Sequence, residues 1–202
     1  RVVCLTGAGD KAFCSGADLG GALKTGEEGQ AGGQPQGPAL YAGLLARMCA
    51  FEKPLVARVA GPCLAGGLGL MLSCDIVIAR DDAFFSTPEV DVGLFPYMVG
   101  ALLQRNVQWK KAMDMVLTGR RIQAAEAERM GLVSRVESPE RFDQAVSQTL
   151  AALAGKSPLG MRLGKRAFAR MREMSLAPAL DLLSRALCEA AATEDAREGM
   201  RA

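Results

Sequence analysis

Glu89 stands among mostly apolar neighbours in Phe85-Ser-Thr-Pro-Glu-Val-Asp-Val-Gly-Leu-Phe-Pro96. A carboxyl group in such a setting has a raised pKa and can act as a general acid or base. A glutamate that caps a helix or ties down a loop would look the same. Upstream, Val59-Ala-Gly-Pro-Cys-Leu-Ala-Gly-Gly-Leu-Gly-Leu70 reads as a strand, a Gly-Pro turn and a helix opening at Ala65-Gly66-Gly67. Free backbone N–H groups point outward at a helix start. Glycines let a ligand approach that backbone closely. An oxygen developing negative charge would be stabilised there. Close helix packing that needs small residues is the competing explanation. A third segment, Thr6-Gly-Ala-Gly-Asp-Lys-Ala-Phe-Cys-Ser-Gly-Ala-Asp18, follows a strand and so lies at a strand's carboxyl end, where α/β sheets place ligands. It matches neither the phosphate-loop pattern nor G-x-G-x-x-G. Taken alone, it is equally a tight strand-to-helix connection.

Composition narrows the chemistry. The 202 residues include no histidine, so Ser-His-Asp and Cys-His catalysis within this chain is excluded, as are His-ligated metal sites. Six cysteines occur without a C-x-x-C pair, which fits small buried hydrophobes in a reducing compartment. Twenty-four basic residues against 22 acidic ones give a net charge of +2, too balanced for a chain-wide cationic surface that binds nucleic acid. No stretch reaches the ~18 to 20 apolar residues of a membrane span, and no signal peptide is recognisable. The sequence opens directly in a strand-like run at Arg1, which predicts a natural N-terminus further upstream.

The elements that must position these residues read as follows. Residues 1–6 form a buried strand and 55–60 a second. Residues 76–79 and 83–86 form two more. Residues 39–51 and 65–74 are helical. The stretch 26–38, rich in glycine and proline, is a flexible loop or lid. Beyond residue 97 the pattern is helical over 102–107, 110–117, 124–130, 140–154, 159–174 and from 179 onward, with a strand at 132–136. This predicts an α/β core over 1–136 followed by a helical region over 137–202.

The three segments, in this order and at this spacing, resemble the crotonase superfamily, the enoyl-CoA hydratase/isomerase family. The resemblance extends over nearly the whole chain. It includes Val3-Cys-Leu-Thr-Gly7, Ala12-Phe-Cys-Ser-Gly-Ala-Asp-Leu19, Lys53-Pro54, Ala65-Gly-Gly67, Ser73-Cys-Asp-Ile76, Pro88-Glu89, Val116-Leu-Thr-Gly119, Ala124-Ala-Glu-Ala and Gly131-Leu-Val133. It implies a crotonase-type ββα spiral with a helical C-terminal region. It also implies an acyl-CoA thioester substrate, with coenzyme A as part of the substrate and no separate cofactor. Homotrimers or dimers of trimers form through the C-terminal region in this family. The family resemblance further implies residues preceding Arg1 and a CoA-touching tail after Ala202.

Carried over residue by residue, the resemblance places the thioester oxygen between the backbone N–H groups of Ala17 and Gly66. Glu89 is then the acid/base. Family hydratases carry a second glutamate at the position of Gly69, so the resemblance favours double-bond isomerisation by a single carboxylate. The alternatives are an enoyl-CoA hydratase or 3-hydroxyacyl-CoA dehydratase, and, with less support, a non-catalytic or RNA-binding homologue. Tyr97 replaces the aspartate of dienoyl isomerases. Lys11, and less strongly Lys24, would meet CoA phosphates. Asp18, Leu19, Gly69, Pro88 and Tyr97 complete the expected substrate contacts. Arg162, Arg166 and Arg170 recur every four residues; a solvated helix face, or a contact with CoA or a neighbouring subunit, is preferred to an RNA surface. The expected location is cytoplasmic, or mitochondrial or peroxisomal in a eukaryote, with no membrane partner.

Overall fold

Short apolar runs alternate with turns that lead into helices, and this alternation winds the chain into a spiral. The structure, a computed structural model, describes residues 1–16 and 36–201. Its first turn holds β1 (Val3–Thr6), a parallel bridge at Cys14 and helix α1 (Gln36–Cys49). The second holds β2 (Leu55–Val59), β3 (Cys63–Leu64) and α2 (Gly66–Leu72). The third holds β4 (Ile76–Arg80), β5 (Phe84–Ser86) and a 3₁₀ helix (Pro88–Val92), and continues into α3 (Tyr97–Asn106) and α4 (Trp109–Thr118). Then come β6 (Ile122–Gln123), α5 (Ala124–Met130) and β7 (Arg135–Glu137). Four helices close the chain: α6 (Pro139–Ala154), α7 (Pro158–Met171), α8 (Leu176–Ala191) and α9 (Glu194–Gly199).

The leading strand of each turn joins one parallel sheet, in the order β1-β2-β4-β7. Its register sets Val3 opposite Leu55, Val56 opposite Ile76 and Ile78 opposite Arg135. The second strands build another sheet. There Cys63 pairs with Cys14 on one side and Phe85 on the other, and β6 adds antiparallel to β5. Strands covered on both faces read as continuous apolar runs, and Val56, Ala57, Val59, Ile78 and Ala79 are all fully buried. On one side they meet Leu68, Met71, Leu103 and Met115 from α2, α3 and α4. On the other, Phe142 and Val146 of α6 close over Val56 and Ile78. Helix α6 is therefore part of the sheet's packing.

Several elements depart from the sequence reading. Helix α3 starts at Tyr97, five residues before the predicted 102. Leu132 and Val133 are apolar because they are buried, yet their N–H groups bond back to the Ala127 carbonyl in the middle of α5. Pairing with β4 begins only at Arg135. Helix α1 reaches back to Gln36, so Pro38 falls in its first turn, where a missing N–H is harmless. Residues 26–35 of the predicted loop lie outside the described residues. The six cysteines are free, but only Cys63 is buried, four are partly exposed and Cys188 is exposed, which corrects the expectation of mostly buried thiols.

Candidate active site

The β3–α2 turn depends on Ala65, the one non-glycine with positive φ among the described residues (φ 49°, ψ −127°). Its N–H donates to the Ser86 carbonyl at 3.0 Å, and its own carbonyl accepts from Leu68 N–H at 3.0 Å. These bonds hold the strained turn in place. Gly66 is thus the first residue of α2, where a backbone N–H has no acceptor within the helix. Gly16, at φ 97°, packs onto the same point: a Cβ there would lie 2.8 Å from Ala65 Cβ and 3.5 Å from Gly66 N. The first-turn loop and the start of α2 therefore meet. Ala17, Asp18, Leu19 and Lys24 lie outside the described residues.

The loop expected around Glu89 is a 3₁₀ helix with Pro88 as its first residue. Two hydroxyls anchor the chain just before it. Ser86 Oγ donates to Gly119 O at 2.6 Å, and the buried Thr87 Oγ1 donates to Met115 O at 3.2 Å. Gly93 ends the helix at φ 76°, and Leu94 N–H donates to Glu89 O at 2.9 Å. Held this way, the Glu89 side chain is half-buried, and among the described residues its buried Oε2 has no hydrogen-bond partner. Burial pushes its pKa above the ordinary glutamate value, partly offset by a hydrogen bond to its own backbone. This is the desolvated carboxyl that the sequence predicted. Asp91, two residues on, sits beside Gly119: a Cβ on that glycine would be 3.5 Å from the Asp91 carboxylate oxygens.

Tyr41, which the sequence reading did not single out, connects these pieces. Its hydroxyl donates to the Gly66 carbonyl. A Cβ on Gly66 would sit 3.5 Å from Tyr41 Oη, an ordinary contact. A Cβ on Gly69 would overlap Tyr41 Oη and stand 3.2 Å from Leu45 Cδ1. Burial raises the phenol pKa strongly, and Cys14, Cys63 and Glu89 add to the rise. Gly66 and Gly69 are thus brought together around one side chain. The available signal was the i, i+4 pair Tyr41 and Leu45, which marks the inward face of α1.

The remaining predicted contacts lie further out. Lys11 is exposed on the loop after β1, with its carbonyl against Gly61. Tyr97 is 75% exposed at the start of α3, its ring 5.5 Å from that of Phe95. On α7 the basic stripe is partly neutralised, with Arg166 bonded to Glu189 at 2.9 Å and Arg162 4.0 Å from Glu52. A surface hollow of about 480 Å³ runs along the outer face of α1 past Leu40, Leu44 and Arg47, the opposite face from Tyr41 and Leu45. Among the described residues, no cluster of His, Cys, Asp or Glu could hold a metal ion, and no helix is long and apolar enough to cross a membrane.

A spiral of ββα turns that carries a glycine-lined backbone turn and a desolvated carboxyl fits a crotonase-fold acyl-CoA enzyme. The model of the family described as enoyl-CoA hydratase/isomerase matches residues 1–202. The chain is similar to the short-chain-enoyl-CoA hydratase of Clostridium acetobutylicum, at 34% identity over 201 residues, covering 99% of this chain and 76% of that protein. Among solved structures it resembles human enoyl Coenzyme A hydratase domain-containing protein 3, with TM-score 0.91, 31% identity, and coverage of 99% of this chain and 78% of that one. It also resembles an enoyl-CoA hydratase from Mycobacterium smegmatis, with TM-score 0.89, 30% identity, and coverage of 100% and 77%. The chain belongs to the enoyl-CoA hydratase/isomerase family.

Proposed function

We propose that the protein shifts a double bond in an acyl-CoA thioester, converting a 3-enoyl ester to a 2-enoyl ester. The thioester carbonyl oxygen accepts hydrogen bonds from the backbone N–H groups of Gly66 and Ala17. Fixed donors of this kind stabilise the negative charge that develops as an enolate forms. Glu89, as carboxylate, removes a proton from the α-carbon, and the electron pair passes into the dienolate held at that oxygen. The protonated Glu89 then delivers the proton to the γ-carbon. The carboxylate is regenerated, and no cofactor or co-reactant is consumed.

The observation that carries this reading is the buried Oε2 of Glu89, which has no hydrogen-bond partner among the described residues. A desolvated carboxylate is a stronger base than an exposed one. Gly69 supplies no second carboxylate for activating water. Pro88 and Gly69 line the acyl side in this reading, Asp18, Leu19 and Tyr97 complete it, and the exposed Lys11 meets a CoA phosphate. The large apolar residues Phe168, Leu176, Leu180 and Leu187, exposed on α7 and α8, support a trimer built through that region. Six free thiols support a reducing compartment such as the cytoplasm.

Hydration of a 2-enoyl ester, or the reverse dehydration, is the second reading, favoured by the name of the Clostridium relative. Separate assays on a panel of 2-enoyl and 3-enoyl CoA esters decide between them. Isomerisation faster than hydration is the expected result; the reverse order would overturn the isomerase preference.

A further inference from the structure

Tyr41 and Gly69 occupy each other's space. The phenol hydroxyl stands where the first carbon of any side chain at position 69 would project, and the buried Leu45 closes the same gap from one turn along α1. The hydroxyl is pinned there because its single proton is donated to the Gly66 carbonyl. Only its lone pairs remain for the pocket. Burial keeps the phenol neutral, so it does not substitute for a carboxylate as a base.

We propose that Tyr41 is a specificity-determining residue: its hydroxyl, tied to the Gly66 carbonyl, holds the space above Gly69 that a second acid would need, and so restricts the site to proton transfer by Glu89. This rests on the reading of Gly66 and Glu89 given above. The glycine at 69 is then the counterpart of a tyrosine on another helix, and restoring an acid on α2 requires removing the phenol from α1.

The test is a double-mutant cycle with two readouts. In the first, hydration of a 2-enoyl-CoA ester is measured for the native enzyme, Tyr41→Ala, Gly69→Glu and the double variant. Gly69→Glu alone is expected to lose both reactions. The double variant should hydrate about 10² times faster than Tyr41→Ala, the scale of one general acid–base group. A Gly69→Glu enzyme that hydrates as well as the double variant would overturn the proposal, as would a folded double variant with no gain. The second readout does not depend on turnover. Gly69→Ala should lower the thermal midpoint in the native background, and less so with Tyr41→Phe, which deletes only the obstructing oxygen. Equal losses in both backgrounds would show that the two positions do not compete. Rapid hydration by the native enzyme, with the midpoint coupling intact, would instead overturn the isomerase reading and with it the specificity role, leaving Tyr41 as a packing group.

Discussion

The backbone of Cys14 leaves no room for a side chain at Gly67: a Cβ there would stand 2.6 Å from the Cys14 carbonyl oxygen and 2.8 Å from its Cβ. The loop that follows β1 is pressed directly onto the first turn of α2. At neighbouring Gly66 the closest atom to such a Cβ is Tyr41 Oη at 3.5 Å. Two adjacent glycines therefore answer to different demands. Gly67→Ala should destabilise the protein by about 1–3 kcal/mol, as overpacking does. Gly66→Ala should change stability by less than about 1 kcal/mol, the range of helix propensity. Urea unfolding of both variants measures the contrast, and equal stabilities would show that the Cys14 contact yields freely.

Gly66→Pro removes the proposed oxyanion donor at a position where proline is well tolerated, the first residue of a helix. Turnover should fall by about 10²–10³, the effect of deleting one such donor. Circular dichroism and the thermal midpoint establish that the variant is folded. Near-native turnover in a folded variant would remove Gly66 N–H from the mechanism.

Glu89→Gln keeps the shape and removes the titrating group. Turnover should drop by about 10²–10⁴, with little change in binding of a CoA ester by calorimetry. The native pH–rate profile should show an acid limb above the ordinary glutamate value of 4.5, because burial raises the pKa of the group that must be ionised. A limb at or below that value would show that the ionising group is not the buried Glu89.

The same shift has a sign for folding. A carboxyl whose pKa is raised in the folded state binds its proton more tightly there than in the unfolded chain. Its favourable contribution is present below the unfolded value and is lost as pH rises through the folded one. Glu89→Gln should therefore raise the thermal midpoint relative to native at neutral pH, and the difference should shrink on acidification toward 4.5. A difference that is constant with pH would mean that the carboxyl is no more buried in the folded protein than in the unfolded one.

How far these features could be read in advance depended on whether the signal was local. β2 and β4 are continuous apolar runs because both faces are covered, and their spans were legible from that alone. The strand at 1–6 was also legible, but its expected burial was not met, since β1 is the edge strand and Val3 and Thr6 are exposed. The raised pKa of Glu89 was legible from its apolar neighbours. The two-residue strands β3 and β6 are too short to show any periodicity; they exist because the strands beside them offer partners. Gly69 was visible as the place where a carboxylate is missing, but its reason lay in Tyr41, on a helix from the preceding turn. The strand predicted at 132–136 began three residues early because burial and sheet pairing separate at Leu132 and Val133.

The spiral distributes the site over three successive turns: Gly16 and Tyr41 on the first, Gly66 and Gly69 on the second, Glu89 on the third. Each turn is joined to the next by its own parallel strand pairs. In the proposed mechanism the oxyanion donors lie on the first two turns and the carboxylate on the third, so the turns depend on one another's packing. Introducing an acid at position 69 therefore involves two coils at once, because the Tyr41 hydroxyl on the first fills the space beside Gly69 on the second. A change of chemistry at position 69 in such a scaffold is a paired change, one partner on each of two adjacent coils.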